Sequence, residues 1–329
     1  MSAFSLRYFP SLPPAARGRG LALRWGLLAL LALPPRLVHG CACGCGVYEV
    51  GTSAMFPTGA GQMLTFENDF QDQDANWSGS SRAASSANPD KDIRTDFLTG
   101  SWQTMFTRSW GLQLEVPYDT RTFRTTGGAS GNDGVNLNWS SLGDIRIEGI
   151  YTGWSHDLST GLTLGVKLPT GNYTHQDAFG DIDRDSEIGT GSTDALLGAF
   201  HRGDLTGGNR WIWFVQAEAD LPFATRDQYR PGAEIDTAAG LYFNGWALGG
   251  TTVTPVAQFK ASERASDAGS NAANPVASGF ARVLAAPGLE FDLHPLRIYA
   301  DVELPVWQHF TGNQLAAAVL TKVSVSYMF

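Results

Sequence analysis

Cysteine is nearly absent from this chain. All 3 cysteines, Cys41, Cys43 and Cys45, fall in the stretch "CACGCG", and none follows. No disulfide can therefore brace the residues beyond them. Charge is also scarce. Only 17% of residues are charged, and 23 Lys and Arg face 32 Asp and Glu for a net charge of −9. An acidic balance with no basic patch excludes nucleic acid as the expected partner. Long apolar runs are missing as well. The one candidate, "WGLLALLAL" from Trp25 to Leu33, is far shorter than the ~20 residues a membrane-spanning helix needs. Histidine is sparse, at 6 residues, and none stands beside a serine in an activated-nucleophile pattern. The expectation is a protein that is not an enzyme.

The residues present are equally telling. The chain carries 38 Gly, 18 Phe, 10 Trp and 9 Tyr, too much glycine and aromatic surface for a disordered protein. A transmembrane β-barrel tolerates this mixture, because its strands alternate apolar and polar residues and hide their hydrophobicity from averages. At the N-terminus, Arg7, Arg17, Arg19 and Arg24 precede the short apolar run, and "PPRLVHGC" follows. A basic head, a short apolar core and small residues before a cut site predict a secretory signal over residues 1–40, cleaved before Cys41. Residues 41–60 then form a cysteine-rich periplasmic segment, and 61–329 the barrel.

The C-terminus points the same way. In "TKVSVSYMF", Thr321, Val323, Val325, Tyr327 and Phe329 alternate with Lys322, Ser324, Ser326 and Met328. This period of two gives one apolar face and one mostly polar face. A chain ending on Phe329, with Tyr327 two residues earlier, resembles the assembly signal read by the barrel-assembly machinery of bacterial outer membranes. Compact joints such as "DLSTGL" (Asp157 to Leu162), "DLTGGN" (Asp204 to Asn209) and "DLHPLR" (Asp292 to Arg297) alternate with long polar stretches. "SWGL" and "NGWALGG" read as further joints. "QDQDANWSGSSRAASSANPDKD" and "THQDAFGDIDRDSEIGTGS" read as long loops. Prolines recur late in the alternating strands, at Pro117, Pro169, Pro222, Pro255 and Pro305, where a missing ladder donor suits a strand leaving regular pairing. The prediction is an all-β, transmembrane antiparallel barrel of about twelve strands, with short periplasmic turns and long extracellular loops, in the outer membrane of a Gram-negative bacterium. A soluble all-β sandwich is the alternative.

Alternation also assigns faces. Leu112, Leu114, Val116, Leu162, Leu164, Val166, Leu168, Trp211, Trp213 and Val215 fall toward lipid. Glu67, Asp69, Glu115, Asp144, Glu148, Glu218, Asp220, Asp301 and Glu303 fall toward the lumen, joined by Arg146, Lys167 and Lys322. Such an acidic interior suits a pore that prefers cations or neutral polar solutes. If the charges merely pair, the barrel is plugged. In "GDIDRDSEIGTGSTD" the aspartates alternate as in a calcium loop, but the turn glycine and closing glutamate are misplaced, so a solvated loop is expected.

"GVKLPTGNY", the acidic loop after it, "GTGSTD" and the earlier "LEVPY" together resemble the outer-membrane family linked to meta-pathway phenol degradation. The resemblance implies a channel for aromatic or other hydrophobic small solutes, with no catalytic residues. The cysteine-rich start is not part of that family's general pattern. Four readings of those cysteines stay open. Cys41 becomes lipidated, the three thiolates capture Cu or Zn, the segment serves a redox role, or the residues are an idle tether. A plugged barrel that scaffolds metal or redox partners through this segment is the alternative to a channel.

Overall fold

A computed structural model describes residues 61–126, 135–177, 180–272 and 274–329. The signal at 1–40 and the cysteine segment at 41–60, with Cys41, Cys43 and Cys45, lie outside the described residues. What is described is overwhelmingly strand. Eleven elements close a ring: β1 (Gly61–Gly79), β2 (Asp90–Met105), β3 (Trp110–Thr125), β4 (Arg146–Tyr151), β5 (Thr160–Lys167), β6 (Thr193–Asp204), β7 (Trp211–Ala224), β8 (Glu234–Phe243), β9 (Thr251–Arg264), β10 (Phe280–Asp292) and β11 (Leu296–Met328). Each pairs antiparallel with its chain neighbours, and β11 closes on β1.

A ring in which every neighbour is antiparallel needs an even number of crossings, so eleven elements cannot close it unless one crosses twice. That element is β11. Its 33 residues would extend ~110 Å as one strand, several times the apolar band of an outer-membrane barrel. Its first part registers with β10, from Asp292↔Arg297 to Phe280↔Phe310, and its last part with β1, from Ser78↔Asn313 to Met63↔Met328. Met328 N donates to Pro295 O at 3.0 Å, which sets the two ends of the element side by side. The reversal falls at Gly312, whose φ of +67° is open to glycine at little cost. The barrel therefore has twelve staves.

Among the described residues five short strands lie outside the ring: Gln176–Asp177 and Gly180–Asp181 pair with each other, and three pair with ring strands. Ser81–Arg82 folds back on β1, Val135–Leu142 pairs with the outer half of β3, and Trp246–Leu248 returns on β9. The β3 partner changes between Tyr118 and Glu115, from Val135–Leu142 to β4, and Pro117 sits at that change. Pro222 and Pro305 likewise sit at register shifts, opposite Thr193/Asp194 and Val283/Leu284. Pro255 is different: it pairs in regular register with Leu289.

Boundaries differ from the sequence reading in several places, among them the joint "NGWALGG", which holds the strand Trp246–Leu248. The polar stretch after Phe70 is not a loop, because β1 continues through it to Gly79. The joint near "SWGL" turns one step earlier, and β3 already begins at Trp110.

The packing is inverted relative to a soluble protein. Charged and amide side chains such as Glu67, Gln71, Lys260 and Glu303 are buried, while Phe66, Leu164, Val215 and Phe259 are exposed. Leu164 is 66% exposed and Glu303 0%. The outer wall is apolar, as a surface solvated by acyl chains must be. Its short-turn end carries clustered aromatics. Trp110 and Tyr151 rings lie 4.6 Å apart, and Phe243 lies 5.2 Å from Trp211 and 5.3 Å from Trp246. These fit an interfacial girdle. Exposed Trp211 and Phe223 mark the two ends of one stave, and ~3.4 Å per residue at a ~40° tilt puts roughly 30 Å between them along the bilayer normal. That is a membrane thickness.

Candidate functional site

The inward carboxylates do not stand alone. At mid-barrel, alternation on β7 brings Glu218 and Asp220 to the lumen, and β4 and β5 contribute Arg146 and Lys167 beside them. Arg146 Nη2 lies 2.5 Å from Glu218 Oε1 and 4.0 Å from Asp220 Oδ2, while its Nε is 3.8 Å from Glu115 Oε2. Lys167 Nζ lies 2.5 Å from Asp194 Oδ2 and 2.8 Å from Asp220 Oδ2. Around the ring, Lys260 Nζ holds Glu303 Oε1 at 2.5 Å and Asp301 Oδ2 at 3.4 Å. Lys322 pairs with Glu67 and, at 3.5 Å, with Asp69.

Each of these four cations thus holds two or three carboxylates. Buried Glu148 and Asp119 add further acid to the same interior. A buried carboxylate without a counter-charge is costly, and a shared cation only partly compensates it. Asp119 Oδ1, Asp220 Oδ1 and Glu303 Oε2 accept no hydrogen bond among the described residues. Within ion-pair distance, these four cations face eight carboxylates: Glu67, Asp69, Glu115, Asp194, Glu218, Asp220, Asp301 and Glu303.

Glu115, Lys167, Glu218, Asp220, Asp301 and Glu303 all fall in this one layer. Asp144 sits elsewhere, in the break between Val135–Leu142 and β4. There its carboxylate accepts hydrogen bonds from Gly171 N at 2.9 Å, Thr190 N at 2.8 Å and Thr190 Oγ1 at 2.6 Å. Sequence reading missed Lys260 and Asp194. Lys260 was accessible to it, since Val256, Gln258, Lys260, Ser262 and Arg264 share one face of β9.

Above the layer, the acidic segment is not a solvated loop. Buried Arg121 donates from Nη1 to Ser186 O at 2.6 Å and to Glu187 O at 3.1 Å, and from Nε to Thr95 Oγ1 at 3.1 Å. Ile182 and Ile188 pack with Ile93, Phe123 and Leu315. Guanidinium and carboxylate together draw the loop into the outer mouth. The Arg184 guanidinium stacks 4.6 Å from the Tyr173 ring and 4.9 Å from that of Tyr229. Between this loop and the wall remains a cavity of about 200 Å³, lined among others by Glu115, Asp119, Asp144, Arg146, Lys167 and Glu187.

At the barrel seam, Gln62 and Phe329 exchange both backbone hydrogen bonds at 3.0 Å. The rings of Tyr327 and Phe329 lie 5.8 Å apart on the exposed outer face. Among the described residues, no group of three or more His, Cys, Asp and Glu is placed to hold a metal ion.

A closed barrel with an apolar outer wall, an aromatic girdle and a charged interior is an integral β-barrel of the bacterial outer membrane. Comparison with known proteins agrees at the level of fold. An outer-membrane channel of Pseudomonas putida F1 superposes with a TM-score of 0.57 at 13% identity, covering 85% of this chain and 100% of that one. The β-domain of a Bordetella autotransporter matches at 16% identity over 82% of this chain and 100% of its own, with a TM-score of 0.47. No family model matches the chain, and no curated protein does.

Proposed function

We propose that this barrel is a passive outer-membrane channel for small solutes, and that its charged layer favours cations over anions. The observation that carries this reading is the layer itself, in which each lysine or arginine is shared by two or three carboxylates beside a cavity of about 200 Å³. A purely structural lumen has no need of more acid than base. A path for ions or polar solutes does, because excess fixed charge concentrates counter-ions within about a Debye length, ~10 Å at 0.1 M salt. The chain acts as a conduit and not as an enzyme. The short motifs that resemble the meta-pathway phenol family support aromatic or other hydrophobic solutes as further cargo. The barrel-assembly machinery is the proposed partner for insertion, through Tyr327 and Phe329.

Recording from the purified protein in planar bilayers tests the reading. Discrete unitary currents are expected. A silent bilayer containing correctly folded barrel would favour a second reading, the plugged scaffold that holds Cu, Zn or redox partners through Cys41, Cys43 and Cys45. The loop drawn into the outer mouth by Arg121 and Asp144 is the observation in its favour.

A further inference from the structure

One inward carboxylate stands apart from the ion pairs of the charged layer. Asp119 is 5% exposed and lines the cavity of about 200 Å³ between the wall and the loop in the outer mouth. Its Oδ1 accepts no hydrogen bond among the described residues. The basic residues of the same lining are engaged elsewhere. Arg146 and Lys167 sit among Glu115, Glu218, Asp194 and Asp220. Arg184 donates to Thr190 O at 2.9 Å and stacks on two tyrosine rings. Arg121, two residues along β3 on the same face, turns Nε and Nη1 to Thr95, Ser186 and Glu187. A carboxylate buried in this way is costly unless a charged donor reaches it.

An aromatic ring flanks the acid. Phe97 registers with Asp119 on the neighbouring stave and lines the same cavity. Residues directly opposite each other place their Cβ atoms about 4.5–5.5 Å apart. A carboxylate and an aromatic face so close can hold one cationic head, the oxygen accepting an N–H and the ring meeting the charge. The far wall is acidic too. Glu234 and Asp236 lie on β8, five staves from β3 in the ring of twelve, and line the cavity from that side. Glu234 registers with Arg264, whose Nη2 is held by Asp267 at 2.9 Å, and Asp236 registers with Ser262.

This lining suits an organic cation better than a metal ion. Among the described residues no three acidic, histidine or cysteine side chains converge as metal ligands. A hydrated potassium ion gains nothing from Phe97, Ile188 or Pro231, whereas methylene groups leave water against them. The cavity has room for roughly seven waters at ~30 Å³ each, the bulk of a cation of several carbon and nitrogen atoms.

We propose that this cavity binds a small organic cation bearing an ammonium or guanidinium group, with Asp119 as its principal acceptor. The site rests on the channel reading and adds a substrate class to it. The charged layer prefers cations by sign, and the cavity takes those that combine N–H donors with a short hydrocarbon stem.

Agmatine, with a guanidinium at one end and an ammonium at the other, is the probe, and 1,4-butanediol is its neutral counterpart. Isothermal titration of the folded barrel in detergent at low salt is expected to show saturable binding of agmatine and none of the diol. Asp119→Asn keeps the shape and removes the charge, and should weaken agmatine about tenfold, as loss of a hydrogen bond between charged groups does. Phe97→Leu, the second variant should the first fail to yield heat-modifiable barrel, should weaken it about threefold through loss of the ring. A flat native titration refutes the site. So does an affinity unchanged in Asp119→Asn or, where only Phe97→Leu folds, unchanged in that variant. Potassium currents in planar bilayers are recorded from the same preparation. Cation-preferring current alongside either of those results leaves the channel reading intact without the site. Silent bilayers alongside Asp119-dependent binding overturn the channel reading and leave a cation-binding barrel.

Discussion

Replacing Lys260 with methionine should destabilise the barrel more than almost any other single change in it. Lys260 is 3% exposed, and its ammonium stands 2.5 Å from Glu303 Oε1 and 3.4 Å from Asp301 Oδ2, two carboxylates that are themselves buried. Methionine has nearly the same length, so the cavity contribution is small. What changes is the charge. Removing one member of a buried pair leaves the other uncompensated, which typically costs 3–5 kcal/mol. The Gln258 amide and the Tyr299 hydroxyl still reach Asp301, but among the described residues no donor other than Lys260 hydrogen-bonds Glu303. The loss should therefore fall mostly on Glu303. Neutralising that group as well, in K260M/E303Q, should recover at least half of the loss. Equilibrium urea unfolding in lipid vesicles, followed by tryptophan fluorescence and heat-modifiable mobility, gives all four corners of the double-mutant cycle. If K260M lies within about 0.5 kcal/mol of the native barrel, the range of an ordinary surface substitution, the charged layer is solvated and the reasoning fails.

Other expectations are simpler to check. E218Q/D220N leaves Arg146 and Lys167 with fewer counter-charges, so cation preference should weaken while the barrel still folds; an unchanged reversal potential would show that these residues do not face the conducting path. Deleting Phe329 removes the residue that pairs with Gln62 at the seam and the last ring of the terminal strand, and should reduce heat-modifiable barrel in the outer membrane. Normal yield would argue against a role for the terminus in assembly. Mass spectrometry of the mature protein should show a chain beginning at Cys41; a diacylglyceryl adduct there selects lipidation, and retention of earlier residues contradicts the cut site.

The sequence makes some parts of this architecture plain and hides others, for reasons that lie in the bilayer. Between the two interfaces a stave meets lipid on one side and charge on the other, so Leu162, Leu164 and Val166 alternate cleanly and the strand is legible. Beyond the interface both faces are wet. The continuation of β1 through "QDQDANWSG" is polar on every side and reads as loop, although its ladder runs on. The opposite failure occurs at "WIWFV". There the outward residues meet lipid and the inward Ile212 and Phe214 meet other apolar groups, so alternation vanishes. The loop around Ile182 carries no periodicity at all. Its course depends on Arg121 and Asp144, each more than forty residues away in the chain.

The measurement that bears most directly on the central claim is the reversal potential of the reconstituted barrel in a potassium chloride gradient. If the lumen carries more carboxylates than cations along the conducting path, the potential should have the sign of cation preference and grow as ionic strength falls, since screening weakens with a longer Debye length. Anion preference, or a preference that does not change with ionic strength, would contradict it.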